Sequence, residues 1–360
     1  MNAPPVQYVT TSDGYSIAYG MAGEGMPLVR VPSMYGHFSL QWNRGILDHE
    51  FRALSENFRT VLFDCRGQGS STRELSEKTS LEDYVRDLEL LVDRLGLGRF
   101  VLSAQSAMGK IAVRYAVEHP DRVIALILNH YGDLHRGTRT GLLQLAKSDW
   151  ELQLQSSARL GWSWLDPQIV IPVLRDSISQ EDFLQEYLVM SAESGDEMLT
   201  RLQVPVLVTA TREPSRPVGG EPEAKRIAAI IPGARLVLFD DVYGGFSPDE
   251  RGVVPAIAAI QSLLAELPAE AQPAVAKPPM PQVVATPGSP SIEVSGLSPR
   301  QREVLGLIAQ GKTNREIAEA LVLSERTVQR HIADLYLKID VRNRAEAVGF
   351  ARDHAVEGFA

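Results

Sequence analysis

Cysteine is almost missing from this chain: Cys65 alone among 360 residues rules out an intramolecular disulfide and suggests a reducing compartment. Long apolar runs are missing as well. No stretch approaches the roughly 18 apolar residues of a membrane span, and Met1 to Thr11 lacks the apolar centre of a secretory leader. The expectation is a cytoplasmic protein with no membrane partner. An excess of positive charge is absent too: 36 Lys+Arg against 45 Asp+Glu leave a formal net charge of −9, which argues against a chain given over mainly to nucleic acid. Histidine is sparse, 7 in all, with none between residues 136 and 330. No metal or cofactor is expected.

What is present divides the chain in two. A hydrophobic content of 44% is ample for a large core, and 360 residues should hold more than one domain. From Leu267 to Gly296 there are seven prolines and almost no charge, a composition that cannot build a core and favours extended, semi-stiff backbone. We read 268–296 as a linker between a front part, 1–267, and a tail, 297–360. The tail holds 10 Lys+Arg and 9 Asp+Glu, 10 − 9 = +1, and residues 268–295 give 1 − 2 = −1, leaving −9 on the front part. No internal repeat is visible.

The tail spells out helix signals in order. Ser298-Pro299-Arg300-Gln301 is a capping box with Pro at the first helical position, ahead of Val304, Leu305, Leu307 and Ile308. That helix should stop near Gly311. Thr313-Asn314-Arg315-Glu316 is a second capping box, opening a short helix with Ile317, Ala318 and Leu321 inward. Ser324 caps a third, in which Val328, Ile332, Leu335, Tyr336 and Ile339 recur at helical spacing and Arg326, Gln329, Arg330 and Ala333 fall on the other face. A tight turn followed by a helix exposing amide and guanidinium groups suits the major groove of double-stranded DNA.

These residues resemble a LuxR-type DNA-binding domain, on the strength of Leu297 to Leu305, Gly311 to Ala318, Ser324 to Val328, His331 and Lys338 to Arg344. The resemblance implies an all-α four-helix domain, with a fourth helix near Arg344 to His354 used for dimerisation. It also implies that Gln329, Arg330 and Ala333 face base edges while Arg326, Thr327 and Lys338 touch phosphates, with Thr313 among the DNA-binding residues. Arg330 would suit guanine and Gln329 adenine. With a net charge of only +1, one such domain should bind weakly and salt-sensitively, so a homodimer is expected to supply affinity.

The front part alternates short apolar runs with helix-like segments. Strands are predicted at Val6 to Thr10, Ser16 to Tyr19, Leu28 to Val31, Thr60 to Phe63, Phe100 to Ala104, Val123 to Leu128, Val206 to Ala210 and Leu236 to Phe239. Helices are predicted at Ser80 to Leu95, Ala107 to Glu118, Pro222 to Ile230 and Pro248 to Glu266. The first strand pair reads as a hairpin through Asp13-Gly14, and the rest demand an α/β class, a mostly parallel sheet covered on both faces. Ligands of such sheets sit at the carboxyl ends of the strands.

At one such end, Phe100 to Ala104 runs through Gln105-Ser106-Ala107-Met108-Gly109 directly into a helix, putting Ser106 on a sharp strand-to-helix turn. With Phe63 to Ser70 and His119 to Val123, this stretch resembles the α/β-hydrolase fold and its G-x-S-x-G nucleophile elbow, over roughly residues 6 to 267. Ala104 and Met108 replace the two glycines of that motif. The resemblance places the acid at Glu213. At the base, where the family reads Gly-His-Phe, this chain reads Gly244-Gly245-Phe246, so Gly245 stands for the histidine. The triad Ser106, Glu213, Gly245 is degenerate, and an unassisted serine hydroxyl is a poor nucleophile at neutral pH.

A pocket is expected all the same. Backbone amides of Ser33 or Met34 and of Ala107 would stand in the oxyanion-hole positions, with Ser106, His37 and His130 on the pocket side. A lid, residues 135 to about 200, carries Trp150, Trp162 and Trp164. An aromatic lid over a polar floor suits a small, mostly apolar ligand with a carbonyl or carboxylate group. The sequence reading is therefore a one-component, ligand-responsive transcriptional regulator with no enzyme activity; the gibberellin receptors of plants are a precedent for a hydrolase fold turned receptor. Two rivals stay open: an active serine esterase in which His130 or His37 serves Ser106, and a front domain that only dimerises or docks, its pocket filled by side chains.

Overall fold

The computed structural model describes residues 3–132, 136–162, 165–192, 195–212, 219–241, 244–247, 251–252, 254–268, 299–309, 312, 314–321 and the single positions Val328, Ile332, Leu335, Ala347, Phe350 and Ala351. The chain forms two compact units, Met1–Met280 and Pro281–Ala360.

The front unit is built on one sheet of eight strands: β1 (Gln7–Thr10), β2 (Ser16–Ala22), β3 (Pro27–Val31), β4 (Arg59–Phe63), β5 (Phe100–Gln105), β6 (Val123–Asn129), β7 (Val206–Thr211) and β8 (Arg235–Phe239). Their order across the sheet is β1-β2-β4-β3-β5-β6-β7-β8. β2 pairs antiparallel with β1 and β4, and the remaining pairs are parallel. All eight predicted strands are present. β3, β6 and β7 are buried along their whole length, as a sheet covered on both faces requires.

Around the sheet run α1 (Phe38–Asn43), α2 (Asp48–Asn57), α3 (Leu81–Arg94), α4 (Gly109–Glu118), α10 (Glu221–Ile230) and α11 (Pro255–Ala265), with α5 (Arg136–Ser148), α6 (Trp150–Gly161), α7 (Pro167–Ser177), α8 (Gln180–Ala192) and α9 (Asp196–Leu199) inserted between β6 and β7. α3 opens on the Ser80/Asp83 capping box and turns Tyr84, Val85, Leu88, Leu91 and Val92 to the sheet, the 3.6-residue spacing of an amphipathic helix. α11 is shorter than predicted, starting at Pro255 and not Pro248, and Pro255 takes the first helical position where its missing N–H costs nothing, while β2 runs three residues beyond its predicted end at Tyr19. α1 and α2, six and ten residues, were not individually predicted.

The insertion is not one mobile flap. α8 is fastened to the body, with Asp182 accepting from the backbone N–H groups of Glu74 and Leu75 at 3.2 and 2.7 Å, and Lys110 donating to the Met190 carbonyl at 2.7 Å. Glu186 lies fully buried 2.7 Å from Gln68 Nε2, and burial pushes its carboxyl up to about 8, with Gln68 opposing and Asp182 adding to the rise. α7 is tied to the body as well, its Ser177 carbonyl accepting from the Gly69 N–H at 2.7 Å.

In the second unit α12 (Pro299–Ala309) and α13 (Asn314–Leu321) are observed. Val304, Leu305, Ile308, Ile317, Ala318, Val328, Ile332, Leu335, Ala347 and Ala351 share one buried core. Arg300 donates to the Leu321 carbonyl at 2.7 Å, tying α12 to the negative end of α13.

Candidate functional site

The site begins where β5 ends. Ser106 leaves the strand with φ +56°, enters the short 3-10 turn Ser106–Met108 and so meets α4. A non-glycine residue in the left-handed region is a strained conformation that folds hold mainly where function or tight packing demands it. The nucleophile-elbow geometry predicted for Ser106 is thus retained. The two missing glycines have plain packing reasons: Ala104 and Met108 are both fully buried in the main core. Close approach is instead demanded one residue later, at Gly109, where a Cβ would lie 2.4 Å from the Tyr131 ring. Ser106 is half-buried.

His130 stands beside it in register. Gln105 pairs with Asn129 across β5 and β6, so the next residues, Ser106 and His130, leave adjacent strands spaced ~4.8 Å apart. His130 also has a positive φ, +48°, and its N–H donates to the Thr209 carbonyl at 2.8 Å. Its ring reaches across the sheet: Nδ1 is 3.3 Å from the Gly219 carbonyl oxygen, and Nε2 backs on Gly244, where a Cβ would come within 2.7 Å of it. The imidazole is 3% exposed.

The turn at Gly245, where the resemblance would put the base, is tightly packed. Gly245 has φ +83°, and a Cβ there would meet Cε1, Cε2 and Cζ of Phe239 at 2.7 Å each. Its N–H donates to Asp241 Oδ1 at 2.9 Å and its carbonyl accepts from Ala256 at 2.8 Å, so the turn is pinned on both sides. A side chain at 245 would require the Phe239 ring to move.

His37 is committed elsewhere. It caps α1, Nδ1 accepting from the Leu40 N–H at 3.5 Å, and burial together with nearby Arg73 lowers its pKa to about 4 against an opposing effect of Asp176. A neutral imidazole whose Nδ1 is spent on a helix end is poorly suited to take a proton from Ser106. Neighbouring Asp64 anchors the loops, accepting from Phe38 and Ser70 N–H at 2.8 and 2.9 Å. Burial raises its pKa to about 7 against those bonds and Arg73. Cys65 is buried too, its thiol pushed up by burial, which marks a core residue and not a redox one.

The loop expected to form the oxyanion hole holds Ser33 and Met34 half-buried, followed by Tyr35 with φ +67°. Gln68 Nε2 lies 3.4 Å from the Ser33 carbonyl and links this loop to Glu186 of α8. Ala107, whose amide was predicted to join the hole, is buried in the turn after Ser106.

In the insertion, Trp150 and Trp162 both pack on Tyr35. Tyr35 fills the space between them, stacked on Phe183 at 5.2 Å and on Trp150 at 6.4 Å, with Trp162 edge-on at 6.2 Å. Its hydroxyl meets Ser157 Oγ at 2.9 Å and Gln153 Nε2 at 3.4 Å. Burial pushes that phenol up to about 12, with Ser157 and Gln153 opposing and Glu186 adding to the rise. Tyr35, Gln153, Ser157, Phe183 and Phe239 were not foreseen, for nothing local in the sequence sets a loop tyrosine among helices over a hundred residues away. A small cavity of about 10 Å³ lies behind the loop, bounded by Arg30, Ser33, Phe38, Gln41 and Phe51. Arg30 is buried there, paired with Glu50 at 2.7 Å and donating to Gln105 Oε1 at 2.7 Å.

Trp164 and Glu213 lie outside the described residues, as do the DNA-contact residues Thr313, Arg326, Thr327, Gln329, Arg330, Ala333 and Lys338. No group of three or more metal-ligating side chains occurs among the described residues. Nor is any helix among them long and apolar enough to cross a membrane.

Residues 295–351 match the model of the bacterial regulatory proteins of the luxR family, and residues 27–163 that of the alpha/beta hydrolase fold. The transcriptional regulatory protein LiaR of Bacillus subtilis is 41% identical over 70 residues, 19% of this chain and 33% of that protein. The DNA-binding transcriptional activator DevR/DosR of Mycobacterium tuberculosis is 37% identical over 60 residues, 17% and 28% of the two chains. The chain thus spans about a third of the length of these regulators. A proline iminopeptidase of Arabidopsis thaliana is 29% identical over 164 residues, 45% of this chain and 39% of that one. Among solved structures, a hydrolase from Pseudomonas aeruginosa superposes with a TM-score of 0.60 at 22% identity, covering 73% of this chain and 99% of its own. An esterase from Exiguobacterium antarcticum does so with a TM-score of 0.60 at 18% identity, covering 73% and 100%. At such identities the likeness is one of fold.

Proposed function

We propose that this chain, which joins an α/β-hydrolase-fold domain to a LuxR-family DNA-binding domain, is a one-component cytoplasmic transcriptional regulator whose front domain binds a small molecule without transforming it. The observation that carries this reading is the wall at Gly245: the place of the general base holds a glycine, and the Phe239 ring occupies the space its side chain would need. The elbow keeps its strained Ser106, so a polar floor persists while the proton acceptor does not. Ligand under α5 to α7 alters cap packing, and that change alters how two DNA-binding domains are spaced on two half-sites. Two copies are needed because one domain, with a net charge of +1, has little electrostatic hold on DNA.

The test is selection of the full-length chain on random duplex DNA, combined with mass spectrometry of small molecules released on denaturing the purified protein. A two-half-site sequence whose affinity changes when the released molecule is stripped and restored supports the reading. Enrichment of no sequence, or DNA affinity indifferent to that molecule, contradicts it.

A second reading keeps hydrolysis, with His130 serving Ser106. The register that sets the two residues on adjacent strands favours it, whereas the ring's contacts with Gly219 and Gly244 oppose it. Ester turnover lost equally in Ser106→Ala and His130→Ala would establish it.

A further inference from the structure

Tyr35 is a body residue whose ring is packed among residues of the insertion, Trp150, Trp162 and Phe183. Three observations separate it from an ordinary core tyrosine. Its backbone takes φ +67°, so the loop is held in a conformation that disfavours side chains in order to deliver this ring. The cage that receives it comes from a different part of the chain, Trp150, Gln153 and Ser157 of α6, Trp162 just beyond it and Phe183 of α8, and two of these, Trp150 and Ser157, are only half-buried, so the cage borders solvent. The polar end of the cage is also incompletely satisfied. Gln153 is 2% exposed, and its Nε2 is spent on Ser157 at 3.1 Å and on the Tyr35 hydroxyl, while its Oε1 has no hydrogen-bond partner. Tyr35 brings one hydroxyl to a site with room in its hydrogen bonding for a second donor.

We propose that the space Tyr35 fills is the ligand site of this domain, that it takes a planar ring bearing one or two hydroxyl groups, and that such a ligand displaces Tyr35. The ring stacks on Phe183 and Trp150 as the tyrosine does, one hydroxyl replaces the phenol of Tyr35 against Ser157 and Gln153 Nε2, and an adjacent hydroxyl donates to Gln153 Oε1. Leaving the cage moves the Tyr35 ring while Gln41 and Gln68 still hold the backbone of its loop at the Tyr35 and Ser33 carbonyls, so occupancy of the cage shifts the loop carrying Ser33 and Met34 beside Ser106. The inference rests on the sensor reading above and assigns it a ligand class set by the cage instead of by the elbow.

The probes are phenol, catechol and toluene, titrated calorimetrically into the full-length chain. Catechol should bind roughly tenfold tighter than phenol, for one more satisfied buried acceptor, and toluene weakest. Two variants keep the fold and move the result in ways a passive core would not. Tyr35→Phe retains the ring but not its bonds to Ser157 and Gln153, so the internal occupant is easier to displace and phenol should bind about fivefold tighter than to wild type. Gln153→Met should bring the catechol-to-phenol ratio close to one. No saturable binding of phenol or catechol to wild type or to Tyr35→Phe overturns the proposal, and so does equal phenol affinity in those two proteins. If catechol binds in the expected order but leaves affinity for the selected DNA unchanged, the site stands and the regulator reading falls.

Discussion

Placing a histidine at position 245 should not create an enzyme. In Gly245→His the new Cβ would sit 2.7 Å from three atoms of the Phe239 ring, and the backbone at φ +83° would have to accept a side chain. A left-handed, β-substituted residue costs roughly 1–3 kcal/mol, and forcing the Phe239 ring aside about 1–3 more, against a total stability of about 5–15 kcal/mol. The turn cannot relax cheaply, because Asp241 holds the Gly245 N–H at 2.9 Å and Ala256 holds its carbonyl at 2.8 Å. Gly245→His should therefore lose roughly 2–6 kcal/mol in urea unfolding and gain no Ser106-dependent hydrolysis of a p-nitrophenyl ester. The double variant Gly245→His/Phe239→Ala should be less destabilised than the two single losses summed, since one change makes room for the other. A Gly245→His protein as stable as wild type, or one that hydrolyses ester with Phe239 intact, would refute the steric argument.

Further outcomes follow from other parts of the structure. Glu186 is protonated in the folded protein at neutral pH, its pKa about 8 against 4.5 unfolded, so its contribution to stability is full below about 4.5 and lost as pH rises to about 8. The full shift corresponds to at most roughly 5 kcal/mol, and Glu186→Gln should flatten the fall in melting temperature between about pH 5 and about pH 9. Asp87 meets Arg66 through two bonds of 2.7 and 2.6 Å with both side chains buried, so Asp87→Ala should cost about 3–5 kcal/mol in denaturant unfolding, a loss of under 1 speaking against the pair's importance. In the DNA-binding domain, Arg330→Ala should cost about 1–3 kcal/mol and relax preference at one base pair, while Lys338→Ala should weaken all sequences alike and lower the salt slope by about 1, both read by fluorescence anisotropy.

The fold was legible because its signals are local. β6 reads Val-Ile-Ala-Leu-Ile-Leu and is buried throughout, and the capping boxes at Ser298 and Thr313 precede helices observed at Pro299–Ala309 and Asn314–Leu321. The elbow was legible for the same reason, a strand running into a helix with one serine between. What escaped is carried by contacts distant in sequence. Phe239 reads as the last residue of a strand, and only the folded turn brings its ring against Gly245. Tyr35 lies in a loop with no period, 122 residues from the Ser157 hydroxyl it meets. His37 caps a helix too short for its pattern to stand out. The lid read as one amphipathic insertion, because nothing in the spacing of Asp182 and Glu186 says that they fasten α8 to the body.

The central claim is that Ser106 sits in a binding floor and not in a working triad. Its most direct measurement is p-nitrophenyl ester turnover and fluorophosphonate labelling of the full-length chain beside Ser106→Ala and an active serine esterase. Wild type and Ser106→Ala should hydrolyse alike, at the background rate, with no label on Ser106. Turnover with stoichiometric labelling, both abolished by Ser106→Ala, would contradict it.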